Sequence, residues 1–150
     1  MADQSITRDN KQPGPSKADL FHSPVGFGVA LFSVTVPIHL LTDTKTSITI
    51  AATTLALIGG AYIGFDVADG RRDVFWSELA VATLFGAAAV LGILWHWAAL
   101  PVGLALHAGW DLLHHNSHRL ARIPKWYVPF CVVYDLLAAG FLIFLYGVMG

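Results

Sequence analysis

Charge is what this sequence has least of. Only 13% of its 150 residues are Asp, Glu, Lys or Arg, against about 25% in a soluble domain. The net charge is −1 and the nine basic residues are scattered rather than striped. No electrostatic footprint for nucleic acid exists, and none is expected as a partner. A single cysteine, Cys131, excludes an internal disulfide, and its apolar surroundings suit a small core residue. The GxSxG, phosphate-loop, HExxH and CxxC motifs are missing, which removes the simplest hydrolase, nucleotide and redox readings. No apolar core follows a basic start within the first 20 residues, so no signal peptide is expected.

Apolar length is what the chain has instead. Hydrophobic residues make up 55% and mean hydropathy is +0.60, the composition of an integral membrane protein. Residues 1–23 are polar and contain Pro13, Gly14 and Pro15, as a disordered tail would. Ser23-Pro24 reads as an N-cap and first helical position. Residues 24–150 then read as one helical membrane domain, with spans near 25–41, 47–68, 74–94, 98–114 and 127–148. The Gly60/Gly64 pair has the GxxxG spacing that lets a neighbouring helix approach. Five spans put the termini on opposite sides. With the N-terminus in the cytoplasm, eight Lys and Arg lie inside and only Lys45 outside, a strong positive-inside signal. Trp76 and Trp126 at inner ends, and Trp95 and Trp97 at an outer end, match interfacial aromatic belts. The expected fold is an all-α polytopic bundle of about five transmembrane helices, N-terminus cytoplasmic, with membrane lipids as partners and a homo-oligomer compatible with the sequence.

Against that background His107-Ala-Gly-Trp-Asp111-Leu-Leu-His114-His115 is anomalous. Ionisable groups at a helix centre cost on the order of 2.5–3.5 kcal/mol each on insertion scales. At about 100° per residue His107, Asp111, His114 and His118 fall within an arc of about 60°. Tyr62, Asp66 and Asp69 repeat that spacing in the second span, and Cys131 and Asp135 share a face of the fifth. Glu78 lies one turn into the third. Under this topology all the deep carboxylates sit in the cytoplasmic half, and should face one another in a cytoplasm-facing polar pocket.

Imidazole beside carboxylate suits a divalent metal, zinc or iron. The metal candidates are His107, Asp111, His114 and His115, the last turned about 80° away from His107. Asp111, Asp135, Asp66 and Glu78 are the candidates for catalytic acid–base work. Asp69 and Asp73 are expected only to pair with Arg71 or Arg72, and Tyr62 and Tyr134 to pack. The functional expectation is a metal-dependent intramembrane hydrolase or lipid-modifying enzyme acting from the cytoplasmic leaflet. The alternatives are a proton or ion relay, against which the outer half offers only His39 and His96, and a non-catalytic scaffold whose polar groups lock the bundle. A di-iron desaturase reading fails, since seven histidines with one cluster are too few.

HAGWDLLHH (residues 107–115), followed by PFCVVYD (residues 129–135) and preceded by GGAYIGF (residues 59–65), resembles a family of small bacterial integral membrane proteins of unknown function. The likeness covers roughly residues 47–148. It implies a multi-helix protein of a bacterial cytoplasmic membrane and singles out His107, Asp111, His114, His115 and Asp135. In type of chemistry the site is also similar to the intramembrane zinc hydrolases of the alkaline ceramidase and adiponectin-receptor superfamily.

Overall fold

A computed structural model describes residues 23–115, 117 and 119–150. The polar tail of residues 1–22 and His118 lie outside the described residues. Five helices follow one another: α1 (Pro24–Leu41), α2 (Thr44–Asp69), α3 (Arg72–Leu94), α4 (Ala99–His114) and α5 (Tyr127–Gly147). No strand occurs among the described residues. α1, α2, α3 and α5 are long and apolar enough to cross a membrane. α4, with 16 residues, rises about 24 Å, short of a hydrocarbon core of about 30 Å.

Local chemistry sets the helix ends. The Ser23 hydroxyl accepts the Gly26 amide at 3.0 Å, with Pro24 in the first turn. Asp43 caps α2, accepting the Thr46 amide at 3.0 Å and the Thr46 hydroxyl at 2.6 Å. These bonds, the hydroxyl first, hold the Asp43 carboxyl below its usual range. Gly70 ends α2 at φ 72° and donates its amide to the Asp66 carbonyl. That left-handed cap suits glycine. At the other end of the bundle Trp95-His96-Trp97 turns the chain tightly from α3 into α4, with the His96 ring accepting the Ala98 amide.

α2 packs most extensively on α3, α4 on α5 and α1 on α5. The main apolar core includes Ala51, Ala52, Leu55, Phe85, Ala89, Leu104, Ala138 and Leu142. So many alanines let the helices approach closely, which is how packing stabilises a bundle in lipid. A smaller cluster of Tyr62, Tyr127 and Cys131 lies toward the other end. Near the Lys45 end, His39 Nδ1 meets Ser47 Oγ at 2.7 Å, and Ser47 meets the Tyr146 hydroxyl at 2.5 Å. This short network ties α1, α2 and α5.

The glycine pair expected to bring helices together does not do so. A Cβ added at Gly60 or Gly64 would meet nothing within 4 Å. The close approach is at Gly59, where a Cβ would lie 2.8 Å from the Phe85 Cβ. The α2–α3 interface falls one residue earlier on the helix than the motif suggests. Gly59→Ala should therefore lower stability by about 1–3 kcal/mol through overpacking. Gly60→Ala should be neutral or slightly stabilising, because it only raises helix propensity. Thermal melts of the two variants in one detergent check this, and equal melting temperatures would contradict the assigned contact.

Candidate functional site

α4 carries the polar stripe and its neighbours close around it. His107, Asp111, Asp135 and Glu78 are each 0% exposed. His107 Nδ1 lies 2.8 Å from Asp135 Oδ2 on α5 and 3.5 Å from Asp111 Oδ2 one turn along α4. The Tyr62 hydroxyl, from α2, donates to Asp111 Oδ1. One imidazole and two carboxylates thus present ligand atoms that all lie within 4.8 Å of one another. With both carboxylates ionised, the proton on Nδ1 points at Asp135. His107 Nε2, Asp111 Oδ2 and Asp135 Oδ1 are buried without a hydrogen-bond partner. The aromatic rings of Phe85 and Tyr62 wall in the imidazole, with centroids 4.9 and 5.4 Å from it.

A second cluster sits one to two turns nearer the α4 C-terminus. His114 Nε2 is 2.9 Å from Glu78 Oε1, and His114 Nδ1 donates to the Trp110 carbonyl at 2.9 Å. A carbonyl can only accept, so Nδ1 carries a proton, and the contact with Glu78 needs one more proton shared between the pair. The Trp110 indole donates to Glu78 Oε2 and the Ala121 amide to Glu78 Oε1, both at 3.3 Å. Glu78 therefore bolts the segment after α4 onto the bundle. Arg71 does the same from outside, bonding the Leu120 carbonyl at 2.5 Å and Asp69 at 2.7 Å. Arg122 adds an ion pair to Asp69 at 3.7 Å.

The candidate residues divide accordingly. The structure gathers His107, Asp111 and Asp135, from two helices. His114 stands apart from that group, with Glu78. His115 is exposed at the end of α4. Asp66 is 2% exposed and neither of its carboxylate oxygens has a hydrogen-bond partner. It borders a groove of about 160 Å³ with Arg71, Arg72 and Phe75. Asp69 pairs with Arg71 as expected. The side chains expected to line a cytoplasm-facing polar pocket are fully buried: the Tyr62 and Phe85 rings pack on His107, and the Ala121 amide closes on Glu78. Tyr62, weighed as a packing residue, is a hydrogen-bond partner of the site. The signal for it was its i, i+4 spacing to Asp66.

No curated protein and no solved structure matches the chain. A family model does, over residues 23–148, and so takes in α1, which the motif likeness had left outside. Its span covers all of α1, α2, α3, α4 and α5, and with them every residue of the two buried clusters. The chain belongs to this family, described as a family of unknown function (DUF6010).

Proposed function

We propose that the protein is a divalent-metal-dependent membrane hydrolase acting on a lipid or similar amphiphile. The ion would sit among His107, Asp111 and Asp135. One observation carries this reading: two carboxylates and an imidazole converge, fully buried, with an unpartnered atom on each. Charge balance supports it. The cluster holds two carboxylates and no Lys or Arg among the residues that form it, and uncompensated buried charge costs several kcal/mol per ion. A divalent cation cancels both charges at once. Three protein ligands also leave a coordination position open, as in catalytic rather than structural sites. A metal ion there supplies Lewis-acid activation of water or of a carbonyl.

The chain's own residues would then act as follows. Asp135 orients the imidazole through Nδ1. Tyr62 holds Asp111 in one rotamer. Phe85 keeps bulk water from the cluster. The relay alternative has less behind it. The apolar core of Leu55, Leu104 and Leu142 separates this cluster from the His39–Ser47–Tyr146 network. His39 borders two cavities: the one toward the core, beside Leu104 and Tyr134, holds about 10 Å³, at the lower limit for one water, while the one of about 390 Å³ lies on its other side, beside Ser47, Trp97 and Tyr146.

Elemental analysis of detergent-purified protein tests the reading. About one divalent ion per chain is expected. Removal by a chelator should lower the melting temperature, and re-addition at 100 times Kd should restore about 2.7 kcal/mol. Protein without metal, indifferent to chelator and to added zinc, iron or manganese, would sink the proposal. Tyr62→Phe should weaken metal retention about 10- to 100-fold while leaving the three ligands in place, the usual effect of losing an outer hydrogen-bond partner. Competition with a fluorescent chelator measures it.

A further inference from the structure

We infer that a pocket at the Lys45 end of the bundle binds a quinone-type amphiphile: an uncharged planar ring with carbonyl oxygens and an apolar tail. This is a second site, independent of the metal reading, and the apolar core of Leu55, Leu104 and Leu142 lies between it and His107. Four parts of the chain build it: the end of α1 (His39, Thr42), the start of α2 (Thr44, Ser47), the turn before α4 (Trp97) and the end of α5 (Tyr146). The space they border is about 390 Å³, within the range of about 300–1,000 Å³ of small-molecule sites.

The hydrogen-bond network on its wall selects the polar end of the ligand. His39 Nδ1 meets Ser47 Oγ at 2.7 Å, and Ser47 Oγ meets the Tyr146 hydroxyl at 2.5 Å. His39 is 8% and Ser47 1% exposed, so burial holds the pair in place. A neutral imidazole, a serine and a tyrosine together carry three polar protons. The two contacts use two of them, whichever way each bond runs. The third is left on His39 Nε2 if both bonds run toward the imidazole, on Tyr146 if both run away from it, and on Ser47 if both end at its oxygen. All three groups border the pocket, so the surplus donor always belongs to its wall. A carbonyl oxygen answers one surplus donor, whereas a hydroxyl would bring a further proton to place.

The remaining walls select the body. No Lys, Arg, Asp or Glu side chain is among the described residues that line the pocket, and a charged ligand there would lack a counter-charge. The Trp97 and Tyr146 rings stand side by side, with centroids 5.6 Å apart, and aromatic rings pack well on a flat ring. Leu40 and Leu145 border the same space, and Leu40 is 53% exposed, which gives an apolar tail a way out to the hydrocarbon around α1. Trp97 belongs to the Trp95-His96-Trp97 turn, and tryptophans favour the membrane interface. The ring is thus held at the level where polar and apolar surroundings meet, as an amphiphile of this kind requires.

Isothermal titration of the full chain in detergent micelles, with a decyl-substituted benzoquinone as probe, tests the site. Saturable binding of about one quinone per chain is expected. Ser47→Ala disconnects His39 from Tyr146, so neither donor is held in advance, and should weaken binding about tenfold. Thr44→Phe lies outside the network at an exposed position, fills the pocket and should also weaken binding at least about tenfold. It keeps the test sound if Ser47→Ala fails to fold. Infrared difference spectra should show the carbonyl stretch of the bound quinone moved to lower wavenumber by the hydrogen bond, and less so in Ser47→Ala. Uptake that never saturates, an unshifted carbonyl, or wild-type affinity in either variant would overturn the inference. So would equal affinity for methyl decanoate, lost in the same variants, since an ester lipid without a ring would then be the occupant.

Discussion

Asp135→Ala is expected to lower the affinity for the divalent ion by more than about 100-fold, about 2.7 kcal/mol. Of the three residues proposed to hold the ion, Asp135 is the one that α5 supplies, and its Oδ2 lies 2.8 Å from His107 Nδ1. Without it the ion would have only His107 and Asp111, one turn apart on the same helix. Asp135→Asn keeps an acceptor oxygen of the same shape but removes the charge, so its loss should be smaller, about 10- to 100-fold. The stronger test is a reversal of order. With metal bound, wild type should melt above Asp135→Asn. With chelator present, wild type should melt level with or below it, because a protonated His107 then offsets only one of two buried carboxylates, a deficit that the asparagine variant does not have. An order that stays the same in both conditions would mean that the cluster is a structural lock, not a metal seat.

Glu78→Ala should be the most destabilising single substitution in the bundle, at about 3–5 kcal/mol. It removes the partner of His114 Nε2, the Trp110 indole and the Ala121 amide together. Each buried donor left unmade costs about 1–3 kcal/mol, and the chain after α4 loses one of its attachments to the bundle, beside the Arg71 bond to Leu120. Glu78→Gln retains an acceptor oxygen and should cost less, about 1–2 kcal/mol. Unfolding in mixed micelles measures both. Tryptic cleavage at Arg119 and Arg122, which flank Ala121, should accelerate in Glu78→Ala. Metal content in Glu78→Gln should equal wild type. A fall in parallel with Asp135→Asn would place Glu78 in the metal cluster rather than beside it.

The two variants divide what looked in the sequence like one polar stripe. Helical phase correctly put His107, Asp111 and His114 on one face of α4, because a 3.6-residue period needs only spacing. It could not say which neighbour each would meet. A stripe running from His107 to His114 spans about 10 Å of helix, and Tyr62 inserts its ring between the two imidazoles, at 5.4 and 4.9 Å. Each histidine thus has its own carboxylate, Asp135 for one and Glu78 for the other. Asp66, on the same face of α2 as Tyr62, joins neither through a hydrogen bond. The GxxxG spacing misled for a related reason. Small size permits a close approach on any face, but the face that is approached depends on where the partner helix lies.

What the sequence by itself determined is the architecture: scarce charge, long apolar runs and the capping signal at Ser23-Pro24 leave little choice but a bundle of membrane helices. These are properties of consecutive residues and of the solvent they require. Tertiary structure alone decided that α5 brings Asp135 to His107 and Asp111, that Tyr62 donates a hydrogen bond to Asp111, and that all three ionisable groups are fully buried. Those facts depend on the rotation and depth of one helix relative to another, set by the side chains at their interfaces, and no spacing within a single segment encodes them.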